Sequence, residues 1–413
     1  MGIDSIVTGT GSHRSPLHRV LDSVRNRRGY ALLREAWREG RRALRRAKQV
    51  DRRIARLDAV GPARGRVLIA YVVEGFFTDP IPISHTHYWE AVTITRIWSE
   101  LGFDVDAIHN GNLDFRPERE YDFFISARKA MEPIGRRLNR DCVKVVHLDT
   151  CHWLFSNTAT HRRTLDLQRR RGVTLRELLE IEPNDAIEFA DHATMLGNDF
   201  TEATYAYAGK PIHRVPISTP RLFDWPEGKD FDACRTRFVW FGSRGAVHKG
   251  LDLVLEAFAG MPDFHLTVIG PIAEADFEAA YRRELYETNN IRSVGWIDLD
   301  DPTFRELTRD ALALVFPSCA EAGSGSVTVS VHAGLIPVIS RECGAEVGGS
   351  GILLEDSSIE EIRSAVRDLS SRPTQELERM ARMAWSHARA NHTREAFEQE
   401  YRRIAEEIAA SES

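Results

Sequence analysis

From Phe238 to Gly250 the chain reads FVWFGSRGAVHKG, four apolar residues followed by a glycine turn that carries two cations, Arg244 and Lys249. The apolar run predicts a short buried strand, and LDLVLEAFAG after the turn is apolar at helical spacing, so both cations flank a helix start. Gly242 and Gly245 permit backbone geometries closed to other residues. A helix start offers unpaired N–H groups and the positive end of a dipole. Together with a guanidinium fork and an ammonium these suit a diphosphate. The other reading of the same residues is a solvated turn with surface cations.

A second stretch repeats the pattern. Ala311–Phe316 (ALALVF) predicts a buried strand, followed by the loop PSCAEAGSGS, the run VTVSVHAG and a further strand LIPVIS. The loop carries one carboxylate, Glu321, just ahead of Gly323, Ser324, Gly325 and Ser326, whose backbone N–H groups are placed to hold an anion. Two such loops at the carboxyl ends of strands in one sheet face one crevice, where open α/β sheets bind ligands.

On these residues the half of the chain from Arg237 to about Ser370 resembles the donor-binding domain of GT-B glycosyltransferases, specifically the retaining glycosyltransferase family four group. The resemblance is carried by an arginine five residues before a Lys-Gly pair (Arg244, Lys249, Gly250), by the Val-Gly-Trp of residues 294 to 296, and by the block PSCAEAGSGSVTVSVHAGLIPVIS. It implies an α/β chain of two Rossmann-like doubly wound domains facing a cleft. The implied reaction moves a sugar, with retention, from a nucleotide-diphosphate sugar to a glycan or lipid-linked acceptor, as in polysaccharide biosynthesis. By the resemblance Arg244 and Lys249 hold the donor diphosphate and Glu321 sits against the donor sugar. Gly242, Ser243, Gly270, Trp296, Ile297, Gly323, Ser324, Gly325, Ser326 and the residue at 329 line the donor pocket. No cofactor and no metal are expected. One departure stands out. The family's second glutamate, eight positions after the first, holds the nucleotide ribose, and here that position is Val329, which accepts no hydrogen bond.

The first half supplies the other wall. RVLIAYVV (Arg66–Val73) predicts the opening strand, and the long loop after it, EGFFTDPIPISHTHYWE, brings His85 and His87 toward an acceptor or uses them to cap the following helix. After the strand Cys142–Leu148, polar residues crowd its carboxyl end in HLDTCHWLF. There His147, Asp149 and His152 lie within six positions, where the resembling family often carries a His or a His-Asp pair near the reacting sugar. On that ground Asp149 and His152 join Glu321, Arg244 and Lys249 as catalytic candidates. Their spacing is not helical and no further ligand cluster is evident, so a metal site is not expected. The basic run HRRTLDLQRRRG, residues 161 to 172, is read as a solvated helix face or an anionic-acceptor contact.

A chain of 413 residues exceeds what one core usually organises. The expected divisions are a basic helical extension (1–60), an acceptor domain (61–218), a linker (219–236), a donor domain (237–385) and a last helix (386–413) crossing back to the first domain. From Arg14 to Arg56 there are 15 lysines and arginines against 4 acidic residues, whereas the whole chain has a formal charge of −6. Leu33, Trp37, Leu44, Ala47 and Ile54 recur at helical spacing in this arm. Two readings compete for it, adsorption to an anionic membrane face and packing on its own domain or on a second copy in a homodimer. The overall negative charge argues against nucleic acid. No apolar run approaches 18 residues, so a cytoplasmic protein, peripheral at the inner membrane face if the arm adsorbs, is expected. Five scattered cysteines without a CxxC pair suggest neither disulfides nor zinc. A non-catalytic GT-B scaffold, or an epimerase or hydrolase of nucleotide sugars, remains the alternative function.

Overall fold

Two sheets account for the 13 strands of the computed structural model, which describes residues 51–346 and 349–411. The first sheet contains β1 (Ala55–Leu57), β2 (Gly65–Tyr71), β3 (Phe103–His109), β4 (Phe123–Ala127), β5 (Val143–Leu148), β6 (His192–Met195) and β7 (Ile212–Arg214). The second contains β8 (Arg237–Phe241), β9 (His265–Ile269), β10 (Ile291–Gly295), β11 (Ala313–Phe316), β12 (Ile336–Ser340) and β13 (Ile352–Leu354). Parallel strands covered on both faces read as continuous apolar runs, and all four residues of β11 are fully buried.

The orders are β1-β3-β2-β4-β5-β6-β7 and β10-β9-β8-β11-β12-β13, parallel throughout except for β1, which runs antiparallel to β3. Strand order reverses between β2 and β4 in one sheet and between β8 and β11 in the other. Loops leaving the carboxyl ends at such a reversal diverge and open a crevice. The segments after β2, β4, β8 and β11 are therefore the ones available to build a site.

Three features differ from what the sequence predicts. The helical stripe assigned to residues 14–56 lies mostly outside the described residues, but its end does not stay helical, since Ala55–Leu57 pairs with Val105–Ala107 as a sheet edge. Residues 219–236 connect the two domains as a packed segment rather than an aperiodic polar one, because Phe223, Trp225 and Phe231 join the core of the second domain. The ammonium of Lys229 is buried there and donates to the carbonyls of Gly334 (2.9 Å) and Thr308 (3.3 Å). The basic helix Trp153–Arg171 is neither wholly solvated nor an open anion site. Arg163 donates to the carbonyl of Pro317, Arg170 pairs with Asp252 (2.7 Å) and Glu256 (3.1 Å), and Arg171 grips Glu284 with both terminal nitrogens (2.7 and 3.1 Å). A helix that follows β5 of the first sheet is thus clamped to the second domain.

The last helix, Arg394–Ser411, lies on the first domain. Phe397, Tyr401, Ile404 and Ile408 enter one cluster with Ile94 and Trp98, and Arg96 bonds Glu398 at 2.6 Å. It leaves helix Thr374–Asn391, whose Leu377, Met380 and Ala381 belong to the core of the other domain. Among the described residues no helix is long and apolar enough to cross a membrane, and all five cysteines are buried free thiols.

The clamp is testable. Burial raises Asp252 to about 6, with Arg163 and Arg170 opposing, so near neutral pH it is a fully buried carboxylate facing those cations. Removing one partner of a buried pair leaves the other uncompensated. Arg170→Ala should cost about 2–4 kcal/mol in urea unfolding, and a change below about 0.5 kcal/mol would class the contact with ordinary surface pairs.

Candidate active site

The turn after β8 and the loop after β11 meet at one ion pair, Lys249 with Glu321. Lys249 closes the turn, where Gly250 takes φ +71° and immediately precedes helix Leu251–Ala259. A Cβ on Gly250 would lie 2.5 Å from the carbonyl of Pro317, so only glycine lets the two loops approach this closely. Ser318 Oγ is 3.3 Å from the Glu321 carboxylate and His248 Nε2 is 3.8 Å from it. Burial alone would raise the Glu321 carboxyl. The Lys249 ammonium, with the Ser318 hydroxyl beside it, overcomes that and holds it below the usual carboxylate range. Burial pushes His248 down to about 4, so its ring is neutral. The short contact from Nε2 to the carbonyl of Ala320 (2.5 Å) then needs the proton on Nε2, and Nδ1 accepts from Thr160 Oγ1 at 2.8 Å.

The Glu321 backbone is pinned from both domains. Its N–H donates to Glu342 O (2.8 Å), and its carbonyl accepts from Cys151 Sγ (3.0 Å) and Thr201 Oγ1 (3.1 Å) of the first domain. Beyond it Ser324 caps helix Gly325–His332 through Val327 N, and the earlier N–H groups of that helix start have no intrahelical partner.

A cavity of about 350 Å³ lies between the sheets over this pair. From the second domain it is lined by Gly242, Ser243, Lys249, Trp296, Ile297, Glu321, Gly323, Ser324, Gly325, Ser326 and Val329, the residues read from the sequence as donor contacts. Two of that set stand apart. Arg244 lies on the rim, exposed, with Nε 3.9 Å from Glu274, and it does not line the cavity. Gly270, at φ +134°, is structural: a Cβ there would fall 1.8 Å from Gly242 O, so it lets the β9 and β8 turns stack.

The first domain supplies His85, His87 and Asp149. The two imidazoles stack at 3.8 Å, and His85 Nδ1 also accepts the N–H of His87, so one histidine both faces the cavity and steadies the helix start. The remaining two candidates are elsewhere. His147 is fully buried beneath the sheet's end, with Nδ1 2.9 Å from Thr194 Oγ1, because β5 turns its side chain into the core. His152 heads helix Trp153–Arg171 and faces Tyr207 at 2.9 Å, away from the cavity.

Sequence reasoning passed over Tyr71, Glu90 and Arg128, all of which line the cavity. Arg128 follows β4, the strand at the order reversal, and its φ of +48° is a left-handed conformation unusual for a side chain of this size. It forms an ion pair with Asp149 at 3.0 Å. The signal for it was topological, a position at the carboxyl end of β4. Glu90 sits one turn into helix His87–Glu100, fully buried, with Ser218 Oγ 2.8 Å from its Oε1. Among the described residues no group of three His, Cys, Asp or Glu side chains is gathered in metal-ligand fashion.

Glu90 gives a pH signature. Burial raises it to about 7 against hydrogen bonds from Ser218 and Thr86. A folded value above the unfolded one means the native state keeps a proton that the unfolded chain has released, so this group's stability contribution is present at low pH and lost as pH rises through about 7. Glu90→Gln has no such dependence. Between pH 4.5 and 8 its stability relative to wild type should improve by about 2–3 kcal/mol, read from paired urea titrations, and a gap constant with pH would contradict the buried carboxyl.

Residues 235–372 match the family described as Glycosyl transferases group 1. No curated protein matches this sequence. Among solved structures, the sucrose-phosphate synthase of Thermosynechococcus elongatus superposes with TM-score 0.61 at 12% identity, over 84% of this chain and 100% of that one. Anabaena HepE in complex with UDP and glucose gives 0.53 at 14% identity, over 84% and 100%. S. aureus TarM, solved with UDP, gives 0.51 at 11% identity over 72% of this chain, which spans 59% of TarM. At such identities the likeness is one of fold. The second domain therefore resembles the glycosyl transferases group 1 family, and the chain as a whole has the GT-B fold.

Proposed function

We propose that the protein is a retaining glycosyltransferase that moves a hexose from a nucleoside diphosphate sugar to a glycan or lipid-linked acceptor. The observation that carries the reading is the Lys249–Glu321 pair on the floor of the inter-sheet cavity, beside the N-terminus of helix Gly325–His332. A diphosphate placed there meets the Lys249 ammonium and the helix amides, and the exposed guanidinium of Arg244 follows the cavity-lining Ser243 on the same turn. Solved neighbours with UDP, TarM and HepE, make a uridine nucleotide the first donor to try.

In the proposed reaction the bond from the anomeric carbon to the diphosphate oxygen breaks and the bond to the acceptor oxygen forms. The acceptor's proton passes to the departing phosphate. Lys249 neutralises the charge that develops on that phosphate, the electrostatic form of catalysis. Glu321, kept ionised by its surroundings, faces the sugar. No metal ion is required in this scheme, because the cations and amides of the protein meet the diphosphate charge. The basic arm, residues 14–56, would hold the enzyme against the anionic inner membrane face or against a second copy.

Val329 favours a second reading, a GT-B binding protein without turnover, since no carboxylate stands where the family holds the ribose. Turnover separates the two. With UDP-sugars, Glu321→Gln should lower kcat by about a hundredfold or more while changing UDP affinity little, the pattern of a group acting on the sugar during transfer. No sugar release or transfer by wild type would favour the binding protein. Lys249→Ala should weaken UDP binding by about tenfold or more by calorimetry, and equal affinity would remove the diphosphate site. Activity should persist in excess EDTA, and its loss with recovery on adding Mg²⁺ or Mn²⁺ would overturn the metal-free scheme.

A further inference from the structure

The first-domain wall of the cavity contains three buried polar atoms without hydrogen-bond partners. They are Tyr71 Oη, Glu90 Oε2 and Asp149 Oδ1. All three residues line the same cavity. Asp149 keeps its ion pair with Arg128 at 3.0 Å, although that contact lacks hydrogen-bond geometry. Tyr71 is 4% exposed and Glu90 is fully buried, with its other oxygen occupied by Ser218. A buried polar atom left unpaired costs about 1–3 kcal/mol, so three on one wall mark a place where a ligand or its waters complete the bonding.

The chemistry of the three atoms restricts the ligand. Tyr71 offers a neutral hydroxyl, because burial and the nearby carboxylates raise its pKa well above the usual value. Glu90 and Asp149 offer carboxyl oxygens. On this wall the guanidinium of Arg128 is held by Asp149. A phosphate or carboxylate on the ligand would meet the acidic side chains of Glu90 and Asp149 here, whereas sugar hydroxyls can donate to their oxygens and accept from Tyr71. The rings of His87 and Tyr71 stand 6.1 Å apart, edge to face, and with stacked His85 they give the same wall an aromatic surface for the C–H face of a sugar.

We propose that Tyr71, Glu90 and Asp149 form the acceptor subsite and that it takes a neutral, hydroxyl-rich sugar unit, with Tyr71 and Glu90 as specificity-determining residues. This rests on the glycosyl-transfer reading. The subsite and the Lys249–Glu321 pair line one cavity from different domains, which leaves the diphosphate on the second-domain side and the receiving hydroxyl on the first.

The test uses the full chain and saturation-transfer NMR with methyl α-glucoside, methyl α-galactoside and methyl α-mannoside as neutral probes. Glucuronic acid and glucose 6-phosphate serve as charged ones, and each probe is run with and without saturating UDP. At least one neutral glycoside should bind, the charged sugars should bind at least tenfold more weakly, and Tyr71→Phe and Glu90→Gln should each weaken the glycoside about tenfold while UDP affinity stays within twofold. Tyr71→Phe removes a single oxygen that makes no bond in the protein, so it carries the test even if Glu90→Gln folds poorly. The proposal is overturned if no neutral glycoside binds, if both variants bind it as wild type does, or if the charged sugars bind equally well. It is also overturned if the variants weaken UDP-glucose relative to UDP and leave the glycosides untouched, because the atoms would then serve the donor. Failure of UDP itself to bind would count against the donor reading alone, since the glycoside arm is read without it.

Discussion

A buried lysine and a partly buried glutamate must meet between two sheets, and much of the molecule is arranged around that requirement. Bringing two charges out of water is costly unless each is paired and held in good geometry. Here the pair is held from several directions. Gly250 permits the turn to touch Pro317, His248 bonds the Ala320 carbonyl, and Cys151 and Thr201 reach across from the first domain to the carbonyl of Glu321. The arginine clamp of helix Trp153–Arg171 fixes the domains at a distance where those contacts can form. The site is therefore not a property of the second domain alone.

That arrangement explains which parts of the molecule were legible in the sequence. β2 and β11 are apolar runs bounded by turns, and their buried character is visible directly. β9, β10 and β13 hold two or three apolar residues each, too few for a periodic signal, and β1 was hidden by the basic composition around it. The donor wall followed from local motifs, because its residues cluster in three short segments, after β8, β10 and β11. The first-domain wall is assembled from residues 71, 85, 87, 90, 128 and 149, and only topology brings them together. His147 and His152 illustrate the limit. Both lie in the polar cluster at the carboxyl end of β5, yet the alternation of a strand turns one into the core and the start of a helix turns the other outward.

The cavity is chemically divided. Its second-domain side joins the Lys249–Glu321 pair to apolar Phe241, Ile297, Leu299 and Val329, whereas its first-domain side carries carboxyl and phenol groups whose bonding is incomplete. A ligand with a charged diphosphate, an apolar-faced base and a neutral sugar partner matches that division along its length. The valine at 329 fits as part of the apolar side, and the hydroxyls of a ribose there would have to find backbone groups or Ser326.

The central claim is that the pair and the adjoining helix start form a diphosphate site. A crystal structure of the full chain at saturating UDP tests it most directly. The account predicts the diphosphate beside Lys249 Nζ, within hydrogen-bond distance of the amides between Gly323 and Ser326. UDP seated elsewhere, such as the outer groove lined by Arg162, Arg163 and Arg169, with the Lys249–Glu321 pair untouched, would contradict it.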